Sequence, residues 1–406
     1  MRFGIDNEYD KLEAVLVHRP GSEIERLTHE NMRQFLFEDV PFLRRVQEEH
    51  DAFVQILLEH GIQVLYLENL LRDILAQEAP RVGLIRRVCE VAGMSAMADD
   101  LSSLKYWSVE QLGEMLFGGL TASEYAHATG NRTNTERGDE FFLLPPIPNA
   151  YFSRDPAVVV RDAAICSKMH FRERVRETLL TQAVLENHPE FRDNLITYGG
   201  SAEPTEDRPY TIEGGDVVVL SADAVLIGAS ERTRSETIER VAGKCFAFGK
   251  IKRVYEISIP TERAFMHLDT VFTVLDRGVI LWYADVFAKL RQIHRFEPVA
   301  DDPRSVVRVL ETRTLLDVLK EEFGVPLTLI ATGGGQQPFA KREQRMDGAN
   351  ALAIAPRVVI AYERNVKTVR ALKDHGFNCI EIDDSELVRG LGGPRCMTMP
   401  LRRAAT

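Results

Sequence analysis

The chain has 406 residues, 45 % of them hydrophobic and 27 % charged, with a formal net charge of −11. This is an ordinary globular composition, with room for one large core or two smaller ones, and the acidic balance without a basic stripe disfavours nucleic acid as a partner. No run approaches the roughly 18 apolar residues of a membrane span, the charged start MRFGIDNEYD does not read as a secretion signal, and five scattered cysteines without a CxxC pair argue against a disulfide framework or a structural zinc site. A reducing cytoplasm is the expected compartment, with thiols free for chemistry.

Residues 13–17 (EAVLV) read as a first strand, closed by His18-Arg19-Pro20. An amphipathic helix is expected from about 40 to 59, with Phe42, Val46, Phe53 and Leu57 at helical spacing and Gly61 as its stop. Residues 62–67 (IQVLYL) follow as a strand. From 69 to 140 the texture changes: LLRDILA, RVGLIRRVCEVA and VEQLGEMLFGGL are helix-like, so this stretch is expected to be a helical insertion. Residues 1–68 and 141–406 then make up the catalytic body. The insertion closes on Leu144-Pro145-Pro146-Ile147-Pro148, which cannot continue a helix. Its apolar faces offer a contact surface for a homo-oligomer, or pack on their own domain.

Beyond it, hairpins, helices and strands recur. Hairpins are expected at 157–160 with 163–167, at 216–220 with 224–227, and at 272–275 with 279–283. Helices are expected at 172–187, from about 233, and at 284–294, 313–323 and 366–375. Further strands fall at 253–259, 327–331, 351–355, 358–362 and 379–382. The unit is hairpin, helix, strand, which is not the plain alternation of a doubly wound parallel sheet. A radial arrangement of such units brings several hairpin ends to one point.

Four segments place polar residues in apolar or Gly-rich settings: NAYFSRDP at 149–156, IEGGD at 212–216, MHLDT at 266–270 and GGPRCMTMP at 392–400. Each has an unremarkable reading. Asp155 before Pro156 is commonly a turn residue, and Gly214-Gly215-Asp216 a tight turn into a strand. His267 and Asp269, placed on a strand, share one face as a structural couple or half a metal site. A lone Cys396 is more often a small buried hydrophobe than a nucleophile, but Gly390, Gly392, Gly393 and Pro394 make its setting a loop. Together the segments hold one thiol, one imidazole and several carboxylates. That inventory suits a guanidinium: carboxylates accept from its planar fork, a thiolate attacks its central carbon, and a histidine moves the protons.

LPPIPNAYFSRDP, TIEGGDVVVL, IGASERT, FMHLDTVFTVLD and GGPRCMTMPLRR, in this order, resemble the signature segments of the arginine deiminase family. The resemblance extends over EAVLVHRPGSEIERLT, LFEDVPFLRRVQEEHDAFV, the helical stretch and REQRMDGANALAIAP, nearly the whole chain. It implies an α/β fold, a five-bladed ββαβ propeller of the pentein type with an inserted helical subdomain. It implies hydrolysis of L-arginine to citrulline and ammonia through a covalent S-alkylthiouronium, with no cofactor and no catalytic metal. Cys396 is the implied nucleophile and His267 the general acid and base. Asp155 and Asp269 are the implied carboxylates on the guanidinium, and Glu213 the partner of the histidine. Asn149, Arg174 and Arg232 match positions that hold the substrate's amino-acid end, and Phe152, Leu36 and Gly390 complete the implied substrate-binding set. One position departs from the pattern: many members carry arginine where this chain has Leu391. Neutral loop drift is the expected reading, ahead of a specificity switch, with Arg395, or Arg174 with Arg232, able to compensate. Agmatine deiminase, dimethylarginine hydrolase, amidinotransferase and a non-catalytic guanidine-binding protein are the alternatives.

Overall fold

Four short apolar runs, each followed by turn residues, fold back on themselves, and the chain ends supply a fifth pair of the same kind. In this computed structural model, which describes residues 1–131, 142–191, 195–196, 210–247, 251–287, 290, 292–299 and 302–404, Ala157–Val160 pairs antiparallel with Ala163–Cys166 and Val217–Ser221 with Ala224–Ala229. Phe272–Asp276 pairs likewise with Val279–Trp282, and Leu352–Ala355 with Val358–Tyr362. The fifth pair joins Met399–Arg403 to Leu12–Val17. Each second strand then takes a parallel neighbour: Leu195–Ile196, Arg253–Ser258, Thr328–Ala331, Asn378–Ile382 and Gln63–Tyr66 respectively. A parallel neighbour cannot be reached by a tight turn, so the chain crosses over through a helix. The crossover helices are Val175–Asn187, Ser235–Ala247, Leu315–Phe323, Val366–Asp374 and Leu43–Glu59. Strands buried on both faces need no polar alternation, which is why residues 217–220 (VVVL) are continuously apolar and fully buried.

Two expectations are corrected. The second-strand helix begins at Leu43, so Phe42 caps it from outside and is 64 % exposed, while Val46, Phe53 and Leu57 are buried as their spacing predicts. The helix expected at 284–294 is described only over Ala284–Phe287, and residues 288, 289 and 291 lie outside the described residues. Ile293–Val299 is a strand instead, hairpinned to Asp302–Glu311 and added to Arg253–Ser258, so the second sheet has five strands. Pairing with an open sheet edge overrides a weak local helix preference there.

Helices Leu67–Leu75, Glu78–Ala92, Ala98–Ser102, Val109–Gly118 and Ala122–Thr129 occupy the helical stretch, and residues 132–140 lie outside the described residues. Reciprocal capping boxes, Ser108 with Gln111 and Thr121 with Glu124, start two of them. Leu71, Ile74, Ile85, Val88 and Leu112 merge into one core with Val158, Ile165, Leu180 and Val184 of the first sheet and its crossover helix. Among the described residues no helix is long and apolar enough to cross a membrane.

Candidate active site

Each of the five antiparallel pairs is led into by a loop, and the chemistry sits in those loops. The turn Pro148–Tyr151 and Asp155 precede Ala157–Val160; Glu213 and the turn Gly214–Asp216 precede Val217–Ser221; His267 and the turn Leu268–Thr270 precede Phe272–Asp276. Asn350 precedes Leu352–Ala355, and Cys396 precedes Met399–Arg403. Four of these loops are the polar segments read from the sequence. The fifth, around Asn350, is not among them, although its MDGAN stands in the same place relative to its strand.

His267 and Asp269 do not share a strand face. A 3₁₀ turn between them sends the side chains apart. The His267 Nε2 lies 2.7 Å from Glu213 Oε2, and its Nδ1 lies 3.6 Å from Asp155 Oδ1. Asp216 anchors the turn by accepting from the Leu268 N–H at 2.8 Å and from the Ser230 hydroxyl at 2.7 Å. Gly215 lets the imidazole approach, since a Cβ there would stand 2.7 Å from the ring. Burial alone lowers a histidine's pKa, but Asp155 and the hydrogen-bonded Glu213 outweigh it and lift His267 to about 9. Burial pushes Glu213 the other way, yet Arg232, His267 and Arg174 hold it below the usual carboxylate range. The ring is therefore an imidazolium at neutral pH.

Asp155 Oδ2 accepts from Arg174 Nη1 at 2.8 Å, and its Oδ1 has no hydrogen-bond partner among the described residues. Arg174 is further held by Glu177, at 2.7 Å from Nη2. Arg232 Nη1 lies 3.4 Å from Glu213, with its guanidinium 4.4 Å from the centre of the Phe171 ring. Asp155, Glu213 and His267 have the donor types of a metal site. Two guanidinium cations already neutralise its carboxylates, which leaves little field for an ion.

Cys396 is buried, with its Sγ 3.5 Å from Asp269 Oδ2. Burial raises the thiol's pKa well above its ordinary value, and the carboxylates of Asp269, Asp155 and Asp347 add to the rise. Asp269 Oδ2 also accepts from Arg395 Nη1 at 2.8 Å, while its Oδ1 has no partner among the described residues. Arg395 Nη2 donates to Glu8 at 3.1 Å and to the Val217 carbonyl at 2.9 Å. Arg395 therefore faces away from any substrate and cannot stand in for the arginine absent at Leu391. This corrects the expectation.

Leu36, Asn149, Phe152, Asp155, Arg174, Arg232, His267, Gly390 and Cys396 line one common cavity. Of the predicted site residues, Glu213 stands behind His267, and Asp269 stands beside Cys396 and Arg395 rather than in the cavity lining. Asn149 donates to the Phe35 carbonyl at 2.7 Å, which ties the first loop to the outer wall. Sequence reasoning missed Arg263, Met266 and Thr270, which also line the cavity with Leu391. The MHLDT motif draws attention to His267 and Asp269 but gives no sign that Met266 and Thr270, on either side, face the same space. The cavity measures about 10 Å³, room for little more than one water. Leu36 and Leu391 line it with φ of 69° and 63°, values uncommon outside glycine.

A family model described as arginine deiminase matches residues 33–403. An arginine deiminase of Bacillus cytotoxicus is 36 % identical over 405 residues, covering 98 % of each chain. Among solved structures, SxtG, an amidinotransferase from Microseira wollei in a saxitoxin biosynthetic pathway, superposes with a TM-score of 0.58 at 17 % identity, over 100 % of this chain and 98 % of that one. The product-bound N-terminal domain of ArgZ, a cyanobacterial arginine dihydrolase, does so at 0.54 and 12 %, over 97 % and 98 %. The α/β fold of mixed sheets is thus shared with guanidine-modifying enzymes, and with a family match that runs from residue 33 to residue 403 the chain belongs to the arginine deiminase family.

Proposed function

We propose that this chain is a hydrolase that converts L-arginine to L-citrulline and ammonia, with Cys396 as nucleophile and His267 as general acid and base. The observation that carries the reading is a buried imidazolium, paired with Glu213, lining one small cavity with the Cys396 thiol and with Asp155, whose buried Oδ1 lies 3.6 Å from the imidazolium but accepts no hydrogen bond among the described residues. A buried acceptor without a donor is costly, and a guanidinium supplies the donors. Asp269 offers a second such oxygen, its Oδ1, while its Oδ2 lies 3.5 Å from the sulfur.

On this reading the substrate's guanidinium enters between Asp155 and Asp269. Its charge offsets the carboxylates that hold the thiol's pKa up, so binding itself favours the thiolate, and the thiol's proton leaves to solvent because His267 already carries one. Sulfur attacks the central carbon. The C–N bond breaks, and ammonia departs with the proton of His267. The neutral imidazole then takes a proton from water, whose oxygen attacks the thiouronium carbon. The C–S bond breaks, the hydroxyl gives its remaining proton to solvent as it becomes the carbonyl of citrulline, and the thiolate is restored. Arg174 and Arg232 hold the amino-acid end with Asn149, and Phe152, Leu36 and Gly390 wall the pocket. Arg263 is a further cation on that wall and partly balances the departure at Leu391.

The five sheet units are read as blades of one propeller, residues 69–140 as a helical insertion on it, and the protein as a cytoplasmic homo-oligomer. Light scattering tests the last point. The activity is tested by a citrulline and ammonia assay on purified protein, with L-arginine beside agmatine and methylated arginines. Stoichiometric products from L-arginine alone are expected. Turnover of agmatine instead, or amidino transfer to added glycine or ornithine, would replace the reading with a sister activity on the same core.

A further inference from the structure

The fourth lead-in loop has no part in the chemistry above, although it touches the reacting atom. Asn350 is wholly buried. Its Oδ1 accepts from the Cys396 backbone N–H at 3.0 Å, and its Nδ2 lies 3.1 Å from Cys396 Sγ. The orientation of the amide is not arbitrary. A backbone N–H only donates, so the oxygen must face it, and the NH₂ is left facing sulfur. The same NH₂ lies 3.3 Å from the Asp269 carbonyl, an acceptor for its second hydrogen. Gly393 fits flat against this side chain, since a Cβ there would stand 2.8 Å from Asn350 Cβ and Oδ1. The amide thus grips the nucleophile from two sides, backbone and sulfur.

We propose that Asn350 is a catalytic residue of this site, holding Sγ in its attacking position and donating a hydrogen bond that stabilises the thiolate. The surroundings give such a donor something to offset. Asp269, Asp155 and Asp347 all disfavour charge on sulfur, Tyr151 and Tyr362 lie near it, and Arg395 is the cation close by. Arg395 is already engaged by Asp269, Glu8 and the Val217 carbonyl. Asn350 Nδ2 is a side-chain donor on Sγ, and it acts beside the Gly393 backbone, whose hydrogen bond also favours the thiolate. A donor to an anion is worth more than one to a neutral thiol, so the bond strengthens as the thiolate forms. This inference rests on Cys396 being the nucleophile.

The test is the pH profile of Cys396 alkylation by iodoacetamide, with the modified peptide identified by mass spectrometry. Opening of the cavity scales the plateau rate but not the midpoint. Asn350→Ala and Asn350→Asp are compared with the wild type. Asn350→Asp keeps the shape and the acceptor for the Cys396 N–H but puts a carboxylate oxygen where the donor was, so its charge adds to the rise and Asn350→Ala isolates the loss of the donor. The expected midpoint moves up by about 1–2 pH units in either variant. With L-arginine, kcat falls roughly 10- to 100-fold while KM changes little. A folded variant with an unmoved midpoint would overturn the proposal. A wild-type measurement covers the case in which neither variant folds: the Asn350 side-chain amide resonance must titrate with the alkylation midpoint, and an amide that does not would overturn it too. Alkylation needs no arginine, so it reports on Asn350 even if arginine is not turned over.

Discussion

The two walls of the cavity are built differently. The inner wall consists of loops that run straight into buried strands, and its groups are tied down several times over. His267 is fixed by Glu213, by Asp155 and, through its turn, by Asp216; Cys396 by Asn350 and Asp269. The outer wall consists of Leu36 and Leu391 in left-handed backbone, with Arg263 reaching across to the Leu36 carbonyl at 2.8 Å. The lesson is a division of labour. Position is fixed where bonds rearrange, and the left-handed backbone is kept to the opposite wall of a cavity of about 10 Å³, smaller than an arginine side chain.

Substitutions separate the two walls. Cys396→Ala should have the largest effect: no detectable citrulline, with arginine still bound in a calorimetric titration. Citrulline production by that variant would remove Cys396 as nucleophile. His267→Ala comes next, with kcat down about 10²–10⁴-fold in a protein that still folds; near-normal turnover would sink its role. Gly215→Ala should damage the inner wall indirectly, because its Cβ would stand 2.7 Å from the imidazole. Relief by displacing the ring should cost about 1–3 kcal/mol of stability, read by thermal melting, along with turnover. An outer-wall change should behave otherwise. Leu391→Arg is expected to lower KM for L-arginine about 10-fold, the worth of a charge-assisted hydrogen bond, and to leave agmatine unchanged. An equal change for both substrates would show that the new cation does not meet the carboxylate.

The smallest expected effect concerns pH. Folding raises His267 from 6.5 to about 9, Asp347 from 3.8 to about 8 and Asp216 from 3.8 to about 7. A group that holds its proton more tightly when folded gives its full stability below the unfolded value and loses it as pH rises through the folded one. Glu8, lowered to about 2, acts in the opposite sense and withdraws stability as pH falls below its unfolded 4.5. The melting temperature should therefore decline by a few degrees between pH 6 and pH 9. A flat or rising curve would mean that these groups are less buried in solution than their packing suggests.

Much of the site was legible because its parts come as motifs. Gly-Gly before Asp216 announces a turn, and the turn is there because Gly214 and Gly215 are pressed against the Arg154 carbonyl and the His267 ring. The thiol on a Gly-rich loop was legible for a similar reason: Gly392 lies against the Phe152 ring, where a Cβ would be 2.2 Å away. Asn350 was not legible, because a polar residue before an apolar run is an ordinary strand start. Arg395 misled, because adjacency in sequence says nothing about which way a side chain turns. The hairpin Ile293–Val299 with Asp302–Glu311 was missed because its pairing with Arg253–Ser258 is a long-range choice.

By itself the sequence determined the local pieces: apolar runs of strand length, amphipathic crossover helices, capping boxes, and polar loops ahead of the strands. These follow from backbone sterics and from the burial of apolar side chains, which act over a few residues. Only the tertiary structure decided that loops separated by up to about 360 residues, Leu36 and Cys396, share one cavity, that Asp269 turns to sulfur while His267 turns to Glu213, and that Asn350 faces the nucleophile. The physical reason is that direction is set by what each loop packs against, and those partners lie on other sheets.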